Sequence, residues 1–202
     1  MTGAWPGAQD AEDTTPPDVR AAYGAMQAAL RDFLDRAAPA KPDAQTAAAL
    51  TADLRAWAER LAAHAVEESD PFMSGRLDLP GRGKVMAPPV VVTHADDTSM
   101  RGTVTFGRFF LGANGVVHGG AIPLLFDDLL GRLANSDRVR ARTAYIHTEY
   151  RSVAFLNVEH QISAWVERIE GRKRLVRGEL RQGATLCAEV EALFVELRPG
   201  MT

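Results

Sequence analysis

The spacing of apolar positions changes twice along this chain of 202 residues. Over residues 1–17 apolar side chains are sparse among Ala, Asp, Thr and Pro, which predicts a disordered tail. Val19, Tyr23, Met26, Leu30 and Phe33 then recur at steps of three and four. That period predicts an amphipathic helix over 18–37, ended by Pro39 and Pro42. A second helical stretch over 44–67 carries Leu50, Leu54, Trp57 and Leu61 on one stripe. Two helices joined by a short Pro-containing loop predict a hairpin spanning 18–68. Its stripes must dock on the rest of the chain or on a partner. Residues 69–88, with Asp70-Pro71, Gly75, Pro80-Gly81, Gly83 and Pro88, read as a linker.

From about residue 90 the period falls to two, and a domain over 89–198 is expected. Val90-Val91-Val92-Thr93 and Thr103-Val104-Thr105-Phe106 read as strands, and Gly112-Ala113-Asn114-Gly115 as a loop. A helix over 119–134 follows, apolar almost all round. Four more strands are expected near 143–153, 157–169, 172–181 and 185–197. Glu170-Gly171 and Gln182-Gly183 mark tight turns between them. Consecutive strands with short turns imply an antiparallel sheet. One apolar helix needs cover, and the sheet can supply it only by curling round it. The fold class expected is therefore α+β, an antiparallel sheet wrapped round one long central helix, preceded by the helical hairpin.

The entrance to that helix carries the candidate chemistry. His118-Gly119-Gly120 opens it, and Asp127 lies inside it among Ile122, Leu124, Leu125, Phe126, Leu129, Leu130 and Leu133. Glycines let a ligand approach the backbone closely. The first turn of a helix offers unpaired N–H groups and partial positive charge, a receptor for an oxygen that gains negative charge. A carboxylate within an apolar run costs free energy unless it is paired, hydrogen-bonded or solvated at a site.

Charge distribution sharpens the picture. Net charge is −3 overall. Residues 1–80 hold 13 acids and 7 bases, whereas residues 81–202 hold 13 acids and 16 bases. The half with the glycine-helix segment is the basic half and suits an anionic ligand, while no global field favours nucleic acid. Cys187 is the one cysteine, so no intrachain disulfide forms and a reducing compartment, the cytoplasm, is expected. No signal peptide and no membrane span are expected. There is no Gly-x-Ser-x-Gly elbow, no His-Glu-x-x-His and no paired Cys spacing, so neither a serine hydrolase site nor a metal site is expected. Gly81-Arg82-Gly83-Lys84 lacks the upstream glycine and following hydroxyl of a phosphate loop. His160 lies on the apolar phase of its strand and reads as a satisfied core histidine.

The segment Val117-His118-Gly119-Gly120-Ala121-Ile122 with Asp127 resembles the hotdog-fold acyl-CoA thioesterases, in their PaaI-like and THEM-like branch. The strand Thr143-Ala144-Tyr145-Ile146-His147-Thr148-Glu149-Tyr150-Arg151 is similar to a strand of the same family. The resemblance covers roughly 85–198. It implies that Asp127 is the catalytic carboxylate, as general base or nucleophile. Gly119 or Gly120 would polarise the thioester carbonyl, His118 would shape the pocket, and the Thr143 hydroxyl would assist the attacking water. It also implies a homodimer, or a dimer of dimers, with each site built across two subunits. Where several relatives carry Asn or Gln six residues before the histidine, this chain has Gly112, and Asn114 is the nearby amide. Asp128 reads as a structural neighbour of Asp127.

Coenzyme A would enter as part of the substrate, with no separate cofactor. Its phosphates direct attention to Arg151, Arg172, Lys173 and Arg174 as candidate contacts. The function expected is hydrolysis of acyl-CoA thioesters. The alternative is a non-catalytic acyl-CoA-binding or sensor protein on the same fold.

Overall fold

The computed structural model describes residues 15–67, 76 and 78–198. The expected tail falls outside them up to residue 14, as do 68–75 and 77 of the linker region. Helix α1 spans Pro17–Ala37, with Pro17 in its first turn, Asp18 near its positive end and Arg36 near its negative end. Helix α2 spans Ala44–Ala62, and the Thr46 N–H donates to the capping Asp43 carboxylate at 2.7 Å. It stops five residues before the expected end. After Leu61 the next stripe positions are His64 and Ala65, so nothing apolar prolongs it.

The helix pair is present, but its two stripes behave differently. The Asp35 carboxylate of α1 accepts the Phe109 N–H at 2.8 Å. Arg31 donates to the carbonyls of Ala87 at 2.9 Å and Lys84 at 2.6 Å. α1 is thereby fastened to the domain. α2 buries no residue, and Leu54, Trp57 and Leu61 stay about half exposed.

Eight strands follow: β1 (Val91–Ala95), β2 (Ser99–Thr105), β3 (Leu111–Ala113), β4 (Val116–Val117), β5 (Ala141–Tyr150), β6 (Glu159–Glu170), β7 (Lys173–Gln182) and β8 (Thr185–Glu196). Helix α3 (Ala121–Ala134) lies between β4 and β5. Six strands form one antiparallel sheet in the order β1-β2-β6-β7-β8-β5. β3 and β4 pair separately. The segment expected as a loop is in fact their hairpin. Asn114 (φ 52°) and Gly115 (φ 75°) both take the left-handed region that a two-residue primed turn requires.

The sheet curls round α3, which touches β2, β5, β6, β7 and β8. Leu125, Phe126, Leu129, Leu130 and Leu133 are buried against Val104, Val176, Leu180 and Phe194. Gly178 in the middle of β7 makes room for α3. A Cβ there would lie 2.4 Å from Phe126 Cε1 and 3.1 Å from the Ser163 carbonyl oxygen. Gly178→Ala is therefore expected to destabilise the fold by about 1–3 kcal/mol through overpacking. Denaturant unfolding measures it, and adding Phe126→Leu should recover part of the loss. A neutral Gly178→Ala would contradict this close packing.

Candidate active site

Asp127 and Thr143, sixteen positions apart in sequence, meet in the structure. The Thr143 hydroxyl donates to Asp127 Oδ1 at 3.0 Å. The contact arises within one chain because β5 runs alongside α3. Asp127 is exposed, as is Leu124 one turn before it at 44%. β5 is one of the two edge strands of the sheet and leaves Tyr145 43% exposed. The apolar helix is thus covered on every side but one, and Asp127 lies on the open side. Asp128 turns elsewhere and pairs with Arg82 at 3.1 Å. Arg82, from the Gly-Arg-Gly-Lys segment, holds a left-handed backbone (φ 58°) to make that contact.

At the helix entrance the two glycine amides have different fates. The Gly120 N–H donates to His118 Nδ1 at 3.0 Å and is committed. That bond places the proton of a neutral His118 ring on Nε2. The Gly119 N–H meets no acceptor among the described residues. The carbonyl of the same peptide, from His118, accepts the Ala121 N–H at 2.9 Å, which polarises the free donor. The Tyr150 hydroxyl donates to the Gly119 carbonyl at 2.8 Å and clamps the turn. The His118 N–H donates to the Phe110 carbonyl at 2.7 Å. Sequence reasoning missed Tyr150 and Arg82 as contributors. Both act through contacts more than thirty residues distant.

Asn114 occupies the tip of the β3–β4 turn, where its left-handed backbone is its visible role. Gly112 departs from the family pattern for a local reason. A Cβ there would lie 3.0 Å from His118 Cα, so the strand hugs the histidine's backbone.

The four basic candidates separate. Arg151 is paired with Glu149 and with Glu189 and stays about half exposed. Arg174 is 3% exposed and donates to the Ala134 carbonyl at 2.8 Å and to Glu196 at 3.2 Å. It caps the last carbonyls of α3, and burial pushes its guanidinium pKa down against the pull of Glu196. Arg174 is thus corrected from ligand contact to helix cap. Arg172 donates to the Glu196 carbonyl at 3.0 Å and remains exposed, as does Lys173.

Among the described residues, no group of three or more His, Cys, Asp or Glu side chains is placed to hold a metal ion. His160 is fully buried, edge-to-face with Phe106 at 5.7 Å. It is a core residue as expected, though neither ring nitrogen has a well-formed hydrogen bond.

No family model matches the chain. Over 95 residues, 46% of the chain, it is 35% identical to the acyl-coenzyme A thioesterase THEM4 of Mus musculus. The chain spans only 41% of that relative's length. A crystal structure described as a thioesterase superfamily protein superposes with a TM-score of 0.74 at 28% identity, covering 86% of this chain and 90% of that one. The E. coli PaaI protein from the phenylacetic acid degradation operon gives a TM-score of 0.51 at 16% identity, over 54% of this chain and 80% of its own. A Streptococcus mutans protein solved with acetyl-CoA gives 0.50 at 18%, over 52% and 86%. These last two likenesses speak to the fold alone.

Burial pushes the His160 imidazole pKa below its ordinary 6.5. The unfolded chain therefore takes up a proton first as pH falls, and stability should drop below pH 6.5. Urea midpoints from pH 8 to pH 5 should show this decline, and His160→Phe should flatten it. Equal slopes in the two proteins would contradict the assignment. With its sheet wrapped round one helix and these likenesses in both sequence and structure, the chain has the hotdog fold in the form the thioesterase superfamily uses.

Proposed function

We propose that the chain hydrolyses acyl-CoA thioesters to the free acid and CoA, and that two copies build each site. The observation that carries this is Asp127 on the uncovered side of α3, bonded to Thr143, with the Gly119 N–H left without an acceptor. A coenzyme-binding sensor has no need of an acid beside an amide receptor, so this pairing favours hydrolysis over the non-catalytic reading.

Geometry within one chain supports the two-copy site. Eight residues of helical rise put Gly119 and Asp127 about 12 Å apart along the axis. One substrate carbonyl cannot touch both in the same chain. A second copy laid along the β5 edge would cover Leu124 and Tyr145 and bring its own helix entrance to Asp127. Pairing through that edge also removes an open strand, which proteins otherwise guard against aggregation.

The Thr143 proton is spent on Asp127, so the hydroxyl's lone pairs are left to accept from a water. In the general-base route that water attacks the carbonyl carbon and Asp127 takes its proton. The oxyanion rests on the Gly119 N–H of the facing copy. Collapse breaks the C–S bond, and the departing sulfur of CoA receives the proton. In the nucleophilic route an Asp127 oxygen attacks instead, the C–S bond breaks to expel CoA as a thiolate that takes a proton from solvent, and water then cleaves the resulting anhydride to the free acid and the Asp127 carboxylate. His118 holds the turn through Gly120 in either route. Coenzyme A is part of the substrate, and the reaction needs no cofactor of the protein's own. The lone buried thiol of Cys187 suits a reducing setting such as the cytoplasm. No helix among the described residues is long and apolar enough to cross a membrane.

Free-thiol release from a series of acyl-CoA esters tests the proposal. Asp127→Asn should lower kcat by about 10²–10⁴-fold with the fold intact. Thr143→Ala should lower it less. Near-normal turnover by Asp127→Asn would overturn the assignment.

A further inference from the structure

Helix α2 is well formed yet has nothing on its apolar side. Asp43 caps its start, but the helix buries no residue. Among the described residues no hydrogen bond or ion pair joins its side chains to another element. Leu54, Trp57 and Leu61 are each about half exposed on one stripe. α1 is fastened to the domain and α3 is wrapped by it, so α2 alone is left uncovered.

The spacing says what kind of cover fits. Ala47, Leu50, Leu54, Trp57 and Leu61 follow one another at strictly alternating steps of three and four. That is the narrow a/d seam of two paired helices, with Ala47, Leu54 and Leu61 at a and Leu50 and Trp57 at d. Asp53 and Arg60 occupy successive g positions along one edge of the seam. Neither makes an ion pair among the described residues, and Arg60 lies over the Trp57 ring at 4.9 Å. Arg55 and Glu59 fall away from the seam and bring the net charge of the helix to zero. An anionic lipid surface, which favours a basic polar face, has nothing to attract here.

A second α2 running the opposite way satisfies this pattern. Leu54 then meets Trp57 of the second copy, Leu50 meets Leu61, and Asp53 of each copy faces Arg60 of the other. The opposed helix dipoles favour the same direction. In a parallel pair Trp57 would meet its own counterpart, and Asp53 and Arg60 would face Ala58 and Ala65, leaving both charges unmatched.

We infer that α2 is a self-recognition surface, through which two copies of this chain pair their α2 helices antiparallel about a two-fold axis. So short a seam is small beside the roughly 800 Å² per partner of a stable interface, so it adds to another contact between copies. The inference goes beyond the hydrolytic reading and uses neither Asp127 nor Gly119.

Cysteine cross-linking of the full chain tests it. Leu50→Cys in one copy and Leu61→Cys in the other come within disulfide reach when the helices are antiparallel. Co-expressed and mildly oxidised, these two variants should yield a linked pair on a non-reducing gel, while each expressed alone stays unlinked. The native Cys187 is buried and does not compete. Adding Trp57→Glu to both should abolish the link, with circular dichroism unchanged because α2 supports no other element. No link in the mixture, or a link of Leu50→Cys with itself, would overturn the pairing. Thiol release from acyl-CoA esters, measured on the wild-type chain, decides the hydrolytic reading separately.

Discussion

A sheet that curls round a helix can close on all sides of it but one. α3 is apolar almost all round, and the six-stranded sheet buries most of its side chains. The strip left open carries Leu124 and Asp127 and borders the edge strand β5. Thr143, near the start of that strand, holds the Asp127 carboxylate where the cover ends. The position of the proposed site derives from this limit on coverage. An acid inside an otherwise apolar helix is tolerable because it sits at the gap, hydrogen-bonded and open to ligand.

The other half of the proposed site is a turn held from several directions. The His118 ring accepts the Gly120 N–H, the Phe110 carbonyl accepts the His118 N–H, and Tyr150 grips the Gly119 carbonyl. One amide, that of Gly119, is left over. α1 contributes at one remove. Its Asp35 fixes the Phe109 N–H, next to the Phe110 carbonyl that receives His118. Its Arg31 binds carbonyls of the 80–87 segment, which delivers Arg82 to Asp128. The first helix therefore braces both the turn and the neighbourhood of the acid. α2 makes no such contribution, and its half-exposed Leu54, Trp57 and Leu61 remain outside the core.

Much of this was legible in the sequence, and the exceptions have physical causes. The change of period from helical steps to alternation located α3 and the later strands, because burial on one face sets period directly. The β3–β4 hairpin escaped because strands of two and three residues are too short to show alternation, although Asn114-Gly115 carried the turn signal. Arg172, Lys173 and Arg174 looked like one basic cluster. Successive side chains of a strand face opposite ways, so Arg174 turns inward to cap α3 while Lys173 faces out. The hydroxyl of Tyr150 and the guanidinium of Arg82 make contacts that no local pattern encodes. Thr143 and Asp127 are each singled out by family resemblance, and their contact comes from the placing of β5 beside α3.

The central claim is that the acid of one copy works with the amide of another. Subunit complementation measures it most directly. Asp127→Asn removes the acid, and Gly119→Pro removes the amide donor. Each protein alone should be nearly inactive. Mixed, unfolded and refolded together, they form heterodimers in which one site combines an intact acid with an intact amide from the facing copy. Thiol release should then return to a sizeable fraction of wild type. Heterodimers that form yet stay as inactive as their parents would contradict the shared site.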